Sequence, residues 1–149
     1  MSLETKITEA LKIAMREKDK TALDSLRAIK SQLLLLKTDG KTEVISEEQE
    51  IALLQRLVKQ RKDSYEQFVA NNRAELAEIE MAQSKVIEQF LPKQLSQEEL
   101  ETELKKIMEE VQAKDIKDLG KVMGAASKQL AGKADGKTIS ETVKRLLSE

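Results

Sequence analysis

The chain has 149 residues, 36% of them charged and 2% aromatic, with no cysteine and no histidine. The length suffices for one core, or for a moderate and a small one. Without cysteine there are no disulfides, thiolate nucleophiles or zinc–thiolate sites, and without histidine the commonest general base and transition-metal ligand is gone. The net charge of −1 is unevenly spread. Residues 97–112 hold six Glu against two Lys, and residues 113–145 hold eight Lys or Arg against four Asp or Glu. A charge-rich, aromatic-poor chain favours long amphipathic helices over a sandwich. No apolar run nears the roughly 18 residues of a membrane span, and the start lacks a basic-then-apolar leader pattern. The expectation is a cytoplasmic protein with no membrane role.

Apolar spacing predicts a first helix over 3–18, with Leu3, Ile7, Leu11 and Ala14 on one stripe. Asp19 can cap a second over 20–37, with Leu23, Leu26, Ile29, Leu33 and Leu36 inward. The cluster Thr38-Asp39-Gly40-Lys41-Thr42 reads as a turn. Ser46 and Gln49 form a capping box for a third helix to about Ala70, with Ile51, Leu54, Val58, Tyr65 and Phe68 on one face. After a break at Asn71-Asn72, a fourth carries Leu76, Ile79, Val86, Ile87 and Phe90.

Pro92, the only proline, lacks an N–H and pushes Leu91 out of helical geometry, so the fourth helix stops there. Ser96 and Glu99 form another capping box, with Leu95 and Leu100 placed as a hydrophobic staple. Leu91, Pro92 and Ser96 are therefore the hinge candidates between an N-terminal helical domain, 1–91, and a C-terminal domain, 92–149. A fifth helix is expected over 97–112, with Leu100, Leu104, Ile107 and Val111 inward. A sixth is expected over 116–130, with Leu119, Val122, Met123, Ala126 and Leu130 inward and Gly132 as its C′ glycine. The seventh starts near Asp135 or Thr138, the latter fitting a capping box with Glu141, and runs to about Leu147. The fold class is all-α: about four helices in an N-terminal bundle and three in the smaller domain.

Candidate chemistry is sparse. Residues 132–138, Gly-Lys-Ala-Asp-Gly-Lys-Thr, resemble a phosphate loop but have three residues between the glycines where four are needed, and no strand precedes them. Gly120, Gly124, Ser127 and Ala131 make a small-residue stripe within the sixth helix. Close packing of a neighbouring helix is the preferred explanation. The alternative is a flat face, flanked by Lys121 and Lys128, that admits a sugar–phosphate backbone. Arg56, Lys59, Gln60, Arg61 and Lys62 form a basic block. It is either a solvated face, with Lys62 near Glu66, or a set of phosphate contacts, and Arg61 is alternatively a helix-to-helix tie. Tyr65, Phe68 and Phe90 have core spacing. Ser84-Lys85 lacks the surroundings of a serine–lysine hydrolase. No catalytic residue, metal site or cofactor is assigned.

Four segments carry a resemblance. They are Leu26-Arg27-Ala28-Ile29; Lys59-Gln60-Arg61-Lys62-Asp63-Ser64; Phe90-Leu91-Pro92-Lys93-Gln94-Leu95-Ser96 with Glu99-Leu100; and Gly120-Lys121-Val122-Met123 with Gly132-Lys133-Ala134-Asp135-Gly136. In this order and over essentially the whole chain they resemble the YqeY family, also called GatB/YqeY. Many members carry a proline where this chain has Ala126-Ser127-Lys128. The resemblance implies an all-α protein whose C-terminal unit is similar to the tail of the B subunit of the tRNA-dependent amidotransferase, an appendage that contacts tRNA while catalysis resides elsewhere.

The leading expectation is a stand-alone, non-catalytic tRNA-binding or tRNA-amidation accessory protein. Lys121, Lys128, Lys133 and Lys137 are the primary nucleic-acid contacts, and Arg56, Lys59 and Lys62 the secondary ones. The first alternative is a protein-interaction module docking a partner on the sixth helix. The second is an enzyme of carbon–nitrogen ligation with glutamine as amido donor.

Overall fold

The computed structural model describes residues 2–38 and 44–149. Asp39, Gly40, Lys41 and Thr42 of the predicted turn lie outside them. The described residues form seven α-helices: α1 Leu3–Glu17, α2 Lys20–Thr38, α3 Glu47–Ala70, α4 Ala74–Glu88, α5 Gln97–Glu110, α6 Leu119–Gln129 and α7 Gly136–Ser148. A single 3-10 turn, Ile116–Asp118, leads into α6. The fold is all-α, and the chain divides into two compact units, Met1–Leu91 and Pro92–Glu149.

Local signals set most helix ends. Asp19 caps α2 by accepting the Ala22 N–H at 3.1 Å. Ser46 with Gln49, and Ser96 with Glu99, close both predicted capping boxes. Asn72 takes a left-handed conformation at the break after α3. Lys18 and Gln112 do the same after α1 and α5, and there no asparagine or glycine announced it. For α7 the structure chooses Asp135, whose carboxylate accepts the Thr138 N–H at 2.7 Å, so Thr138 lies inside the helix and caps nothing. Gly132 is left-handed, but it stands two residues beyond the α6 C-cap Leu130, one later than the predicted C′ position.

In the first unit α1 packs on α2, α2 on α3 and α4, and α3 on α4. The shared core includes Leu3, Ile7, Leu26, Ile29, Leu33, Leu53, Leu54, Leu57, Val58 and Ile87. Two expectations fail here. Ile79 is 50% exposed, because α4 turns Ala77, Ser84 and Ile87 inward. Small residues permit close approach, so the buried face of α4 runs through Ala77 and Ser84 as well as Ile87. Tyr65 and Phe68 are only half-buried. The core face of α3 is instead widened by Leu53 and Leu57, since α3 meets both α2 and α4.

In the second unit α5, α6 and α7 pack mutually around Leu100, Leu104, Ile107, Val122, Ala126, Leu130, Ile139, Val143, Leu146 and Leu147. Leu95 packs against this core and Leu100 lies within it, as the staple requires. Leu91 packs against the first core. Ser96 is held in the α5 cap, so of the hinge candidates it is part of the second unit's fixed frame. Neither core includes Pro92 or Lys93.

Candidate nucleic-acid interface

The site is built on α6. Asp115 caps the preceding turn, and the Asp118 carboxylate accepts the Lys114 N–H at 2.8 Å. That bond comes first in holding the Asp118 carboxyl below its ordinary value, with Lys121 and Lys114 adding positive charge. The helix buries Val122 and Ala126. Its other side exposes Gly120, Lys121, Gly124, Ser127 and Lys128, and Ala131 just beyond the helix is exposed too. A Cβ added at Gly120 or Gly124 would meet nothing within 4 Å. The preferred expectation, that these glycines let a neighbouring helix pack closely, is therefore overturned: among the described residues no helix lies against them. Gly124, in the helix interior, costs about 1 kcal/mol relative to alanine, and packing among the described residues does not explain it.

Lys121 and Lys128 are seven residues apart, so they stand on one face about 10 Å apart along the axis. Neither has an ion-pair partner among the described residues, whereas Arg145 pairs with both Glu101 and Glu149. Lys133 and Lys137 are also exposed and unpaired among the described residues, in the link after α6 and the first turn of α7. Only Lys121 and Lys128 are shown to share a helix face.

The loop that resembled a phosphate cradle serves another purpose. Gln94 Nε2 donates to the carbonyls of Pro92 at 2.8 Å and Gly132 at 2.6 Å. The Leu95 N–H donates to the Lys133 carbonyl at 2.9 Å. Gly132 is buried and left-handed, so it presents its carbonyl inward at little steric cost. The Asp135 carboxylate occupies the N-terminus of α7, where an anion would otherwise sit. Residues 92–96 and 132–135 thus form one latch. Sequence reasoning missed it, although Gln94 within the Pro-x-Gln-Leu-Ser segment was its signal.

The secondary set stands in the first unit and is mostly engaged. Arg56 Nη2 donates to Gln32 Oε1 at 3.0 Å, tying α3 to α2. Lys62 pairs with Glu88 at 3.2 Å, tying α3 to α4, and not with the expected Glu66. Lys59 is exposed and has no ion-pair partner among the described residues. Ser84 is 1% exposed, its hydroxyl 3.4 Å from Glu88 Oε1, while Lys85 faces solvent. The two do not form a nucleophile–base pair.

Fold and site together define a small two-unit all-α protein whose second unit presents an unpaired lysine pair on a glycine-flattened helix. A family model described as Yqey-like protein matches residues 4–147, and the chain belongs to that family. Among curated proteins it is similar to the "Altered inheritance of mitochondria protein 41, mitochondrial" of Pyrenophora tritici-repentis, at 27% identity over 92% of this chain and 76% of the relative. The protein of the same name from Kluyveromyces lactis is 28% identical over 93% of this chain and 72% of that relative. No helix among the described residues is long and apolar enough to cross a membrane.

Proposed function

We propose that this chain is a non-catalytic accessory protein that binds tRNA through its second unit, as a stand-alone counterpart of the amidotransferase B-subunit tail. The observation that carries it is the open face of α6. Two glycines there meet nothing in their own unit, beside two exposed lysines. A flat strip lets a phosphate backbone approach, and the lysines neutralise it without reading bases. Lys133 and Lys137 add to the same unit's positive charge. Of the secondary residues Lys59 is the one not engaged among the described residues, since Arg56 and Lys62 are tied within the first unit. A sequence pI near 5.8 keeps the expected affinity modest. The mitochondrial names belong to the two relatives, and a cytoplasmic location for this chain is part of the proposal.

Labelled total tRNA, titrated with the pure protein by anisotropy at three salt concentrations, tests it. Binding weaker than micromolar is expected, with log K falling against log salt at a slope of about −3.6 for about four phosphate contacts. Changing Lys121 and Lys128 together to Glu should cost at least tenfold and reduce the slope by about 2. Absence of binding at the lowest salt would remove the proposal.

The same open stripe also favours a second reading, in which a partner protein's helix packs on α6. Gly124→Leu would then abolish partner capture while the Lys121 and Lys128 changes leave it intact. The reverse pattern would sink it.

A further inference from the structure

Residues 60–64 lie on α3, in the first unit. Arg61 is half-buried, and among the described residues its Nε is the buried side-chain nitrogen or oxygen left without a hydrogen-bond partner. Its guanidinium joins none of the ion pairs among those residues. Yet Arg61 lines an open groove at the α3–α4 seam together with Gln60, Asp63, Ser64, Glu80 and Gln83. One cation and two carboxylates share this groove without closing on one another. An arginine fork carries five donors and matches a carboxylate bidentately. Here the cation is held partly out of water with its Nε closed to solvent, and no carboxylate among the described residues pairs with it, so a ligand would meet the outer Nη ends of the fork.

We propose that this groove binds a small zwitterion of the α-amino-acid class. The ligand's carboxylate takes the Arg61 guanidinium, and its ammonium faces Asp63 and Glu80. Gln60, Ser64 and Gln83 offer neutral donors and acceptors for a polar remainder. Charge selects this class. A phosphate dianion would meet two carboxylates beside one guanidinium, and a metal ion would meet the guanidinium. An apolar ligand would bury six polar side chains without partners. A zwitterion satisfies both signs at once.

The test is a titration of the whole chain with each of the common L-amino acids, followed by 1H–15N correlation spectra. At least one should shift the amides of residues 60–64 and 80–83 saturably, with a Kd below about 1 mM. Its α-carboxamide and its Nα-acetyl form should each bind at least about tenfold more weakly. Arg61→Lys, which keeps the charge and loses the fork, should weaken binding at least about fivefold, as should Glu80→Gln, with circular dichroism confirming that both remain folded. No saturable shift with any amino acid would overturn the proposal. So would blocked forms that bind equally well, a folded Arg61→Lys with unchanged affinity, or inorganic phosphate binding at the same amides more tightly than any amino acid.

Discussion

Three cations of the first unit tie helices together, whereas the candidate lysines of the second do not. In the first, Lys37 is paired with Glu4 on α1, Arg56 is bonded to Gln32 on α2 and Lys62 is paired with Glu88 on α4, so each ties one helix to another. In the second, Arg145 is doubly paired, while Lys121, Lys128, Lys133 and Lys137 stand exposed without ion-pair partners among the described residues. The residue types are the same. What differs is whether an acceptor on another helix of the same unit engages the cation. A paired cation already has its counter-charge, whereas an unpaired one on an open helix face is available to an external anion.

The largest expected effect tests whether the units are separate in stability. Leu104 is fully buried in the second core, and Leu104→Ala should cost about 2–5 kcal/mol. Hydrogen exchange should then show protection lost across residues 100–147 and kept across 3–38 and 47–88. Uniform loss over the whole chain would break the comparison.

Next comes the latch. Gln94→Ala removes both bonds of the amide and leaves the carbonyl of buried Gly132 short of a donor, a loss of about 1–3 kcal/mol in urea unfolding. A variant as stable as the parent would show that the amide adds nothing to the second unit.

Gly124→Ala acts in the opposite sense. Its Cβ meets nothing, so the helix should gain up to about 1 kcal/mol, read as a raised melting temperature. A more stable protein with weaker tRNA binding would mean that the glycine is kept for the external surface. Unchanged binding would leave the lysines as the whole of the contact.

The smallest effect concerns acid. The Ser96 backbone N–H and then its hydroxyl hold the Glu99 carboxyl below its ordinary value of 4.5. The bond to the Lys114 N–H likewise keeps Asp118 below 3.8. Carboxyls lowered by folding stabilise the native state above their unfolded values, and that contribution is lost as pH falls through the folded ones. The second unit should therefore lose stability as pH drops below about 4.5. Glu99→Gln should flatten that slope in urea melts run between about pH 6 and 3.

The helices were legible because their signals are local. Ser46 with Gln49, Ser96 with Glu99, and Pro92 each act within a few residues, and the wide stripes of α2 and α5 need no partner to be seen. Ile79 and Tyr65 misled because an apolar side chain on a helix declares only that some face is buried. Which face is buried depends on the neighbour, and α4 met its neighbours through Ala77 and Ser84. For the candidate site, Lys121 and Lys128 were readable as a pair, but the openness of the strip beside them was not. Small residues at helical spacing look the same whether they face a helix or solvent.

Seven helices, the division near Pro92, the uneven charge and the lack of cysteine and histidine are all readable from the residues alone. Each of these is a property of composition or of contacts a few residues long. Packing settled which lysines are paired, that Gly120 and Gly124 face open space and Arg61 lacks a partner among the described residues, and that Gln94 closes on Gly132 across 38 residues. Those outcomes depend on which helices meet and at what height, and no local pattern encodes that.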